Sequence, residues 1–294
     1  MSLLPVEEAL KRVVAGLKPT QAERVPIGEA HGRVLAADVA ARITQPPFDS
    51  SSMDGYAARA SDLRKLPQKL HVIGEAGAGH AFDGQVGKGE AARIFTGAPL
   101  PQGADTVVIQ ENTERAADLV TVLEGGAKGD FIRPSGLDFS EKQTLLEAGR
   151  RLSSRDVALA ASMNHGDLMV RCRPVVAILS TGDELVPPGA TPRADQIISS
   201  NGFGLAAIVE QAGGQAELLG IAKDTLESLA AHVDNASGAD ILVTIGGASV
   251  GEHDLVQQAL EAHGMALDFW KIAMRPGKPL MFGEAFLRVS CNAE

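Results

Sequence analysis

The chain has 294 residues, 45% of them hydrophobic and only 4% aromatic, so it can bury a sizeable core built mostly from Val, Leu, Ile and Ala. Its 37 acidic against 27 basic side chains give a net charge of −10, which argues against a general binder of nucleic acid or anionic membrane, since those need a basic footprint. Cys172 and Cys291 are far apart without C-x-x-C spacing, which argues against a zinc site or disulfide framework, and the N-terminus mixes charges among its apolar residues unlike a signal peptide or membrane span, so the chain reads as a reduced, cytoplasmic protein.

In PVEEALKRVVAGL the apolar Val6, Ala9, Leu10, Val13, Val14 and Leu17 recur at helical spacing behind Pro5, which suits a first turn. PPFDSSSMDGYA (46–57) follows: two prolines bias the lead-in toward extended backbone, so the serines and Asp54 read either as a presented loop or as a solvated turn. From Leu70 to about Leu123 the runs LHVIGEA, ARIFTG, DTVVIQEN and LVTVLEGG, punctuated by Gly and Pro, predict a compact β-rich unit. SSRDVALAASM reads as a helix with Ser153 and Asp156 as a capping pair.

Pro174 marks a boundary between an N-terminal region, 1–173, with a β-rich insertion at about 50–140, and an α/β region, 174–294. There PVVAILST, ELLGIAKD, DILVTIGG and ALDFWKIAM read as strands. SSNGFGLAAIVEQAGG, DTLESLAAHV and DLVQQALEAHG read as helices, the second with Asp224 and Glu227 fitting a capping box. The alternation implies a mostly parallel sheet covered on both faces, hence a multi-domain α/β protein with a β-rich N-terminal half and a three-layer α/β domain.

Two predicted strand ends carry similar loops: STGDEL, with Ser180, Thr181, Gly182, Asp183 and Glu184, and GGASVGEHD, with Gly246, Gly247, Ser249, Glu252 and Asp254. Ligands of an open parallel sheet bind outside the carboxyl ends of its strands, which places both loops on one crevice. Glycines admit a phosphate, and a helix beginning near Asp254 favours an anion. The carboxylates would repel a bare phosphate, a conflict that a divalent cation resolves; either loop alone would also pass as a tight turn with capping acids. WKIAMRPGKPL supplies positive charge through Lys271, Arg275 and Lys278, but Pro279 stands where a P-loop needs Ser or Thr, which rules out that motif. RIFTGAPLPQGADTVVIQE and FIRPSGLDF put Thr96, Arg133 and Asp138 on turns, GAGHAF reads as a loop, and the histidines show no metal spacing.

Taken together, SMDGYA, RIFTGAPLPQGADTVV, IRPSGLDF, ILSTGDEL, TIGGASVGEHD and WKIAMRPGKPL resemble the molybdopterin molybdenumtransferases, relatives of the C-terminal domain of gephyrin, in the same order along nearly the whole chain. The resemblance implies a three-layer molybdopterin-binding domain and insertion of molybdenum from molybdate into adenylylated molybdopterin, with release of AMP in a step that needs Mg2+ or another divalent cation. It implies a homodimer with a shared active site, and other proteins of molybdenum-cofactor synthesis as further partners. Carried over by position, Glu184 and Asp254 would hold the metal and pterin phosphate, Ser180, Thr181, Gly182, Gly246, Gly247 and Ser249 would line the phosphate, and Asp224 would stand at the neighbouring strand end. Lys271, Arg275 and Lys278 would hold pyrophosphate or molybdate, and Asp54, Thr96, Arg133 and Asp138 would come from the N-terminal half. After KPLMFG the sequence reads EAFLRVSCNAE where the family continues with a PGNP-type loop and a C-terminal β domain, which predicts a truncated chain that binds ligand but turns it over poorly. A molybdopterin adenylyltransferase and a non-catalytic pterin-binding or scaffolding module are the alternative readings.

Overall fold

The computed structural model describes residues 3–246 and 255–285. The chain forms two compact units, Arg24–Met169 and a second made of Met1–Glu23 with Val170–Glu294, so it crosses between them twice.

The first unit is organised by a six-stranded mixed sheet in the order Thr106–Ile109, Gly55–Ala58, Glu90–Ile94, Gln68–Ala76, Leu119–Val122, Thr113–Ala116. All pairings are antiparallel except that of Gln68–Ala76 with Glu90–Ile94. Alternation along each strand divides the side chains between two faces. Tyr56, Ala58, Leu70, Ala91, Val108, Val120 and Val122 share one core cluster, while Ala57, Ala76, Ile94 and Val107 share another. Gly55–Ala58 is buried along its whole length, which explains its small residues. A Cβ on Gly55 would collide with the carbonyl oxygen of Val108 on the neighbouring strand. The helix Ser154–Ser162 closes this unit and begins with the expected box: Ser153 Oγ accepts from Asp156 N at 3.3 Å, and Asp156 Oδ2 accepts from Ser153 N at 2.8 Å.

In the second unit Val175–Thr181 is the centre of a three-stranded parallel sheet, flanked by Gln215–Ala222 and Ile241–Ile245. Helices Asn201–Ala212, Leu226–Asp234 and Leu255–Ala262 accompany it. Leu179, Ala222, Leu229, Val233, Val256, Ala259 and Leu260 form its core. Three details depart from the sequence reading. ALDFWKIAM does not join the parallel sheet; Ala266–Lys271 pairs antiparallel with Pro279–Glu284, because Pro276 and Gly277, the latter at φ 105°, reverse the chain after a few residues. The cap of Leu226–Asp234 is Thr225, whose hydroxyl accepts from Ser228 N, one residue beyond the predicted Asp224. The helix Val6–Ala15, grouped by sequence with region 1–173, clusters with the second unit: Ala9 and Val13 pack on Phe269, Ile272 and Phe282, and Arg12 bridges Glu8 and Asp268. No described helix is long and apolar enough to cross a membrane.

Candidate functional site

In the α/β unit the site residues gather at the carboxyl end of the central strand. Ser180 and Thr181 are buried there, and the chain leaves through Gly182 into the exposed Asp183 and Glu184. Gly182 stands at φ 148°, a backbone conformation that residues with a side chain rarely adopt, and the Glu184 carboxylate lies over it, in the space a Cβ would enter. The next strand end is tied in directly, with Asp224 N donating to Asp183 Oδ1 at 3.4 Å and Gly182 N donating to Ala222 O at 3.2 Å. From the other side comes Gly246, at φ 98°, where a Cβ would lie 2.5 Å from Thr181 O and 2.9 Å from Thr181 Oγ1.

Two glycines thus let three strand ends close on one spot. The buried Thr181 Oγ1 at its centre has no hydrogen-bond partner among the described residues, an atom prepared to meet something polar. Ser180 is met by the helix Asn201–Ala212: Ser199 Oγ donates to Ser180 Oγ at 3.4 Å, and a Cβ on Gly202 would lie 3.5 Å from it. The N-cap residue of that helix, Ser200, makes no side-chain capping bond, leaving the first-turn N–H groups without that acceptor. The sequence offered Ser199, Ser200 and Asn201 as a cap and gave no sign that they overhang Ser180, because that approach depends on how the helix packs.

Gly247, Ser249 and Asp254 lie outside the described residues. Among those described, no three His, Cys, Asp or Glu side chains stand close enough to share a metal ion. Glu184 and the unpartnered Thr181 hydroxyl, both at the end of one strand, are nonetheless donors of the kind Mg2+ uses when it is shared with a phosphate, one or two carboxylates with water and ligand oxygens completing the shell. The residues present fit such an ion, and they do not form an all-protein cage.

The predicted cations sit on the antiparallel hairpin of the same unit. Lys271 ends its first strand with its ammonium 4.2 Å from the centre of the Trp270 ring, and Arg275 and Lys278 stand exposed on the turn. None of the three makes an ion pair among the described residues.

In the β-rich unit the stretch that begins at Pro46 is a strap threaded between two other loops. Asp138 N donates to Gln45 O, Gly136 N to Pro46 O, Ser135 N to Asp49 Oδ1 and Leu100 N to Asp49 O. Ser50–Ser51 pairs with Ile132–Arg133, and Ser51 exchanges backbone bonds with Gly97 and Ala98. The serines are lacing: Ser51 Oγ donates to Met53 O at 2.6 Å, and Ser52 donates through both N and Oγ to Phe131 O, holding that residue at φ 56°. This draws Asp54, Thr96 and Arg133 onto three interleaved loops, with Arg133 and Asp138 both exposed.

Of the predicted site residues Asp54 and Asp138, Asp54 has a side-chain partner among the described residues. Its Oδ1 accepts from both Thr96 N and Thr96 Oγ1 at 2.8 Å, and these two bonds, helped by the charge of Arg93, hold its carboxyl below the usual carboxylate range. Arg93 itself escaped the sequence reading. Its guanidinium lies 5.1 Å from the centre of the Tyr56 ring and 4.9 Å from that of Phe95, a stack that nothing in the sequence spacing discloses, since Tyr56 stands on a different strand.

Comparison with known proteins supplies a family for this arrangement. Residues 4–164 match the MoeA N-terminal region (domain I and II), and residues 177–291 match a probable molybdopterin binding domain. A molybdopterin molybdenumtransferase of Nostoc sp. is 39% identical over 263 residues, covering 88% of this chain and 60% of its own length. One from Haemophilus influenzae is 36% identical over 285 residues, covering 96% of this chain and 70% of its own. The crystal structure of a molybdopterin biosynthesis MoeA protein from Pyrococcus horikoshii superposes with a TM-score of 0.83 at 36% identity, over 97% of this chain and 72% of that one. The chain thus spans about two thirds of the length of these relatives.

Proposed function

The chain belongs to the molybdopterin molybdenumtransferase family, and from that premise we propose that it binds adenylylated molybdopterin for the insertion of molybdenum from molybdate, with AMP as the product released. The observation that carries this reading is the convergence at the three parallel strand ends, where Gly246 comes close to the carbonyl and the unpartnered hydroxyl of Thr181 and the Glu184 carboxylate stands over Gly182. That geometry suits a phosphate approached by backbone and hydroxyl groups, with a carboxylate at its edge.

Glu184 would hold a divalent cation, with Asp254 as its second carboxylate; such a cation supplies charge neutralisation between the phosphates and molybdate. Lys271, Arg275 and Lys278 would hold molybdate or pyrophosphate, lowering the repulsion that keeps two anions apart in a protein of net charge −10. Asp54, Thr96, Arg133 and Asp138 would face ligand from the β-rich unit, in a homodimer whose subunits share the site.

The test is AMP release from adenylylated molybdopterin by the purified chain, with and without molybdate and Mg2+. Glu184→Gln is expected to lower molybdate-dependent release by about a hundredfold, the scale of one lost electrostatic contact at a reacting centre. Tight binding of the pterin with no release under any condition would instead make the chain a pterin-binding module, and no binding would overturn the reading.

A further inference from the structure

We propose that Arg93 is the positioning residue of the Asp54–Thr96 pair, fixing it as an acceptor-only contact for N–H or O–H donors on the ligand; this rests on the pterin-binding reading above. Arg93 Nη1 donates to Gly55 O at 3.1 Å and Nη2 donates to Gln110 Oε1 at 2.7 Å. Gln110 N in turn donates to Asp54 O at 3.1 Å. The two peptide groups that flank Gly55 are therefore tied to one guanidinium, the Gly55 carbonyl directly and the Asp54 carbonyl through Gln110. That guanidinium is itself clamped between the Tyr56 and Phe95 rings at cation–π distance. A planar fork can satisfy both acceptors while stacked, and an ammonium cannot.

The consequence lies in what the pair shows to a ligand. Thr96 spends both its amide and its hydroxyl proton on Asp54 Oδ1. What remains outward is the Thr96 hydroxyl lone pairs and Asp54 Oδ2, which makes no hydrogen bond among the described residues. Every free atom of the pair is an acceptor. It suits the amino and ring N–H groups of a pterin and is repelled by the oxygens of molybdate or phosphate.

Amide hydrogen exchange on the full chain tests the positioning without reference to turnover. In Arg93→Met and Arg93→Lys the Thr96 amide, whose acceptor is Asp54, is expected to exchange at least about tenfold faster, while the amide of Ala92 in the sheet and that of Val107, which donates to Asp130 O, keep their parent rates. An unchanged Thr96, or equal acceleration across the sheet, would overturn the proposal, and Arg93→Lys, which keeps a cation between the rings, decides the matter if the Met variant does not fold. In the ligand arm both variants should lose about tenfold in affinity for adenylylated molybdopterin with affinity for molybdate alone unchanged. Equal loss for both ligands would overturn the acceptor-only assignment. Failure of the parent chain to bind the pterin would sink the functional reading and leave the exchange result to stand on its own.

Discussion

The two units hold their site residues by opposite means. In the β-rich unit side chains do the fixing: Ser51 and Ser52 lace the strap, Asp49 ties it to Ser135, and Arg93 sets the Asp54–Thr96 pair. In the α/β unit the backbone does it, through Gly182 and Gly246 at the ends of parallel strands. Their packing differs in the same direction. The sheet around Ala57, Val107, Val120 and Val122 leaves those side chains wholly buried, whereas the strand Gln215–Ala222 and the helix Asn201–Ala212 keep Leu218, Phe203 and Ile208 in large part exposed. A site set by side-chain bonds needs a closed scaffold around it, and a site set by strand ends needs only the ladder that brings those ends level.

The contrast in packing is the one a mutation exposes most strongly. Leu70→Ala, at a side chain 1% exposed in the β-rich core, is expected to cost about 3 kcal/mol, and Leu218→Ala, at 46% exposed on the parallel sheet, less than about 1 kcal/mol. The single Tyr, Tyr56, lies in one unit and the single Trp, Trp270, in the other, so their emission during urea unfolding follows the units separately. Leu70→Ala should move the tyrosine transition to lower urea and leave the tryptophan transition in place. A shift of both together would show that the units unfold as one.

This division also explains what the sequence could and could not disclose. The run PVVAILST is readable because a strand buried on both faces must be continuously apolar, and Ser153 with Asp156 is readable because a capping box is contained in four residues. The loops STGDEL and GG were legible as strand ends for the same local reason. The fate of ALDFWKIAM was not, since a strand does not encode whether its neighbour runs parallel, and only the tight Pro276–Gly277 reversal settles it. Nor was the partner of the helix Val6–Ala15 legible, because Phe269, Ile272 and Phe282 lie some 250 positions away. The stacking of Arg93 and the overhang of Ser180 by the helix Asn201–Ala212 belong to the same class: residues brought together by packing leave no spacing to read.

Gly246→Ala probes the backbone-set site. At φ 98° an alanine is strained, and its Cβ would press on the Thr181 carbonyl, so the substitution should cost about 2 kcal/mol in the tryptophan-reported unit. It should weaken pterin binding beyond what the stability loss accounts for, because relief of the clash moves the strand end away from Thr181. Full retention of affinity would mean that the close approach of Gly246 to Thr181 serves folding alone.

The smallest effect is expected at the cap of the helix Ser154–Ser162, and it carries a pH signature. Asp156 is buried, and bonds from Ser153 N and Oγ, with Arg150 at 2.9 Å, hold its carboxyl down at about 2 against an ordinary 3.8. A carboxylate depressed in the folded state stabilises fully above its unfolded value, so this contribution is present above about pH 4 and is lost as pH falls through the folded value near 2. Ser153→Ala removes the hydroxyl bond and the cap, at a cost of about 1 kcal/mol in the β-rich unit near neutral pH. Because the variant also lets the Asp156 carboxyl rise toward its ordinary value, the gap between parent and variant should narrow between pH 4 and pH 2, read from tyrosine-monitored urea midpoints across that range. A gap that stays constant down to pH 2 would show that the hydroxyl caps the helix without help from the charge of Asp156, and that the side-chain network of this unit is less coupled than its hydrogen bonds imply.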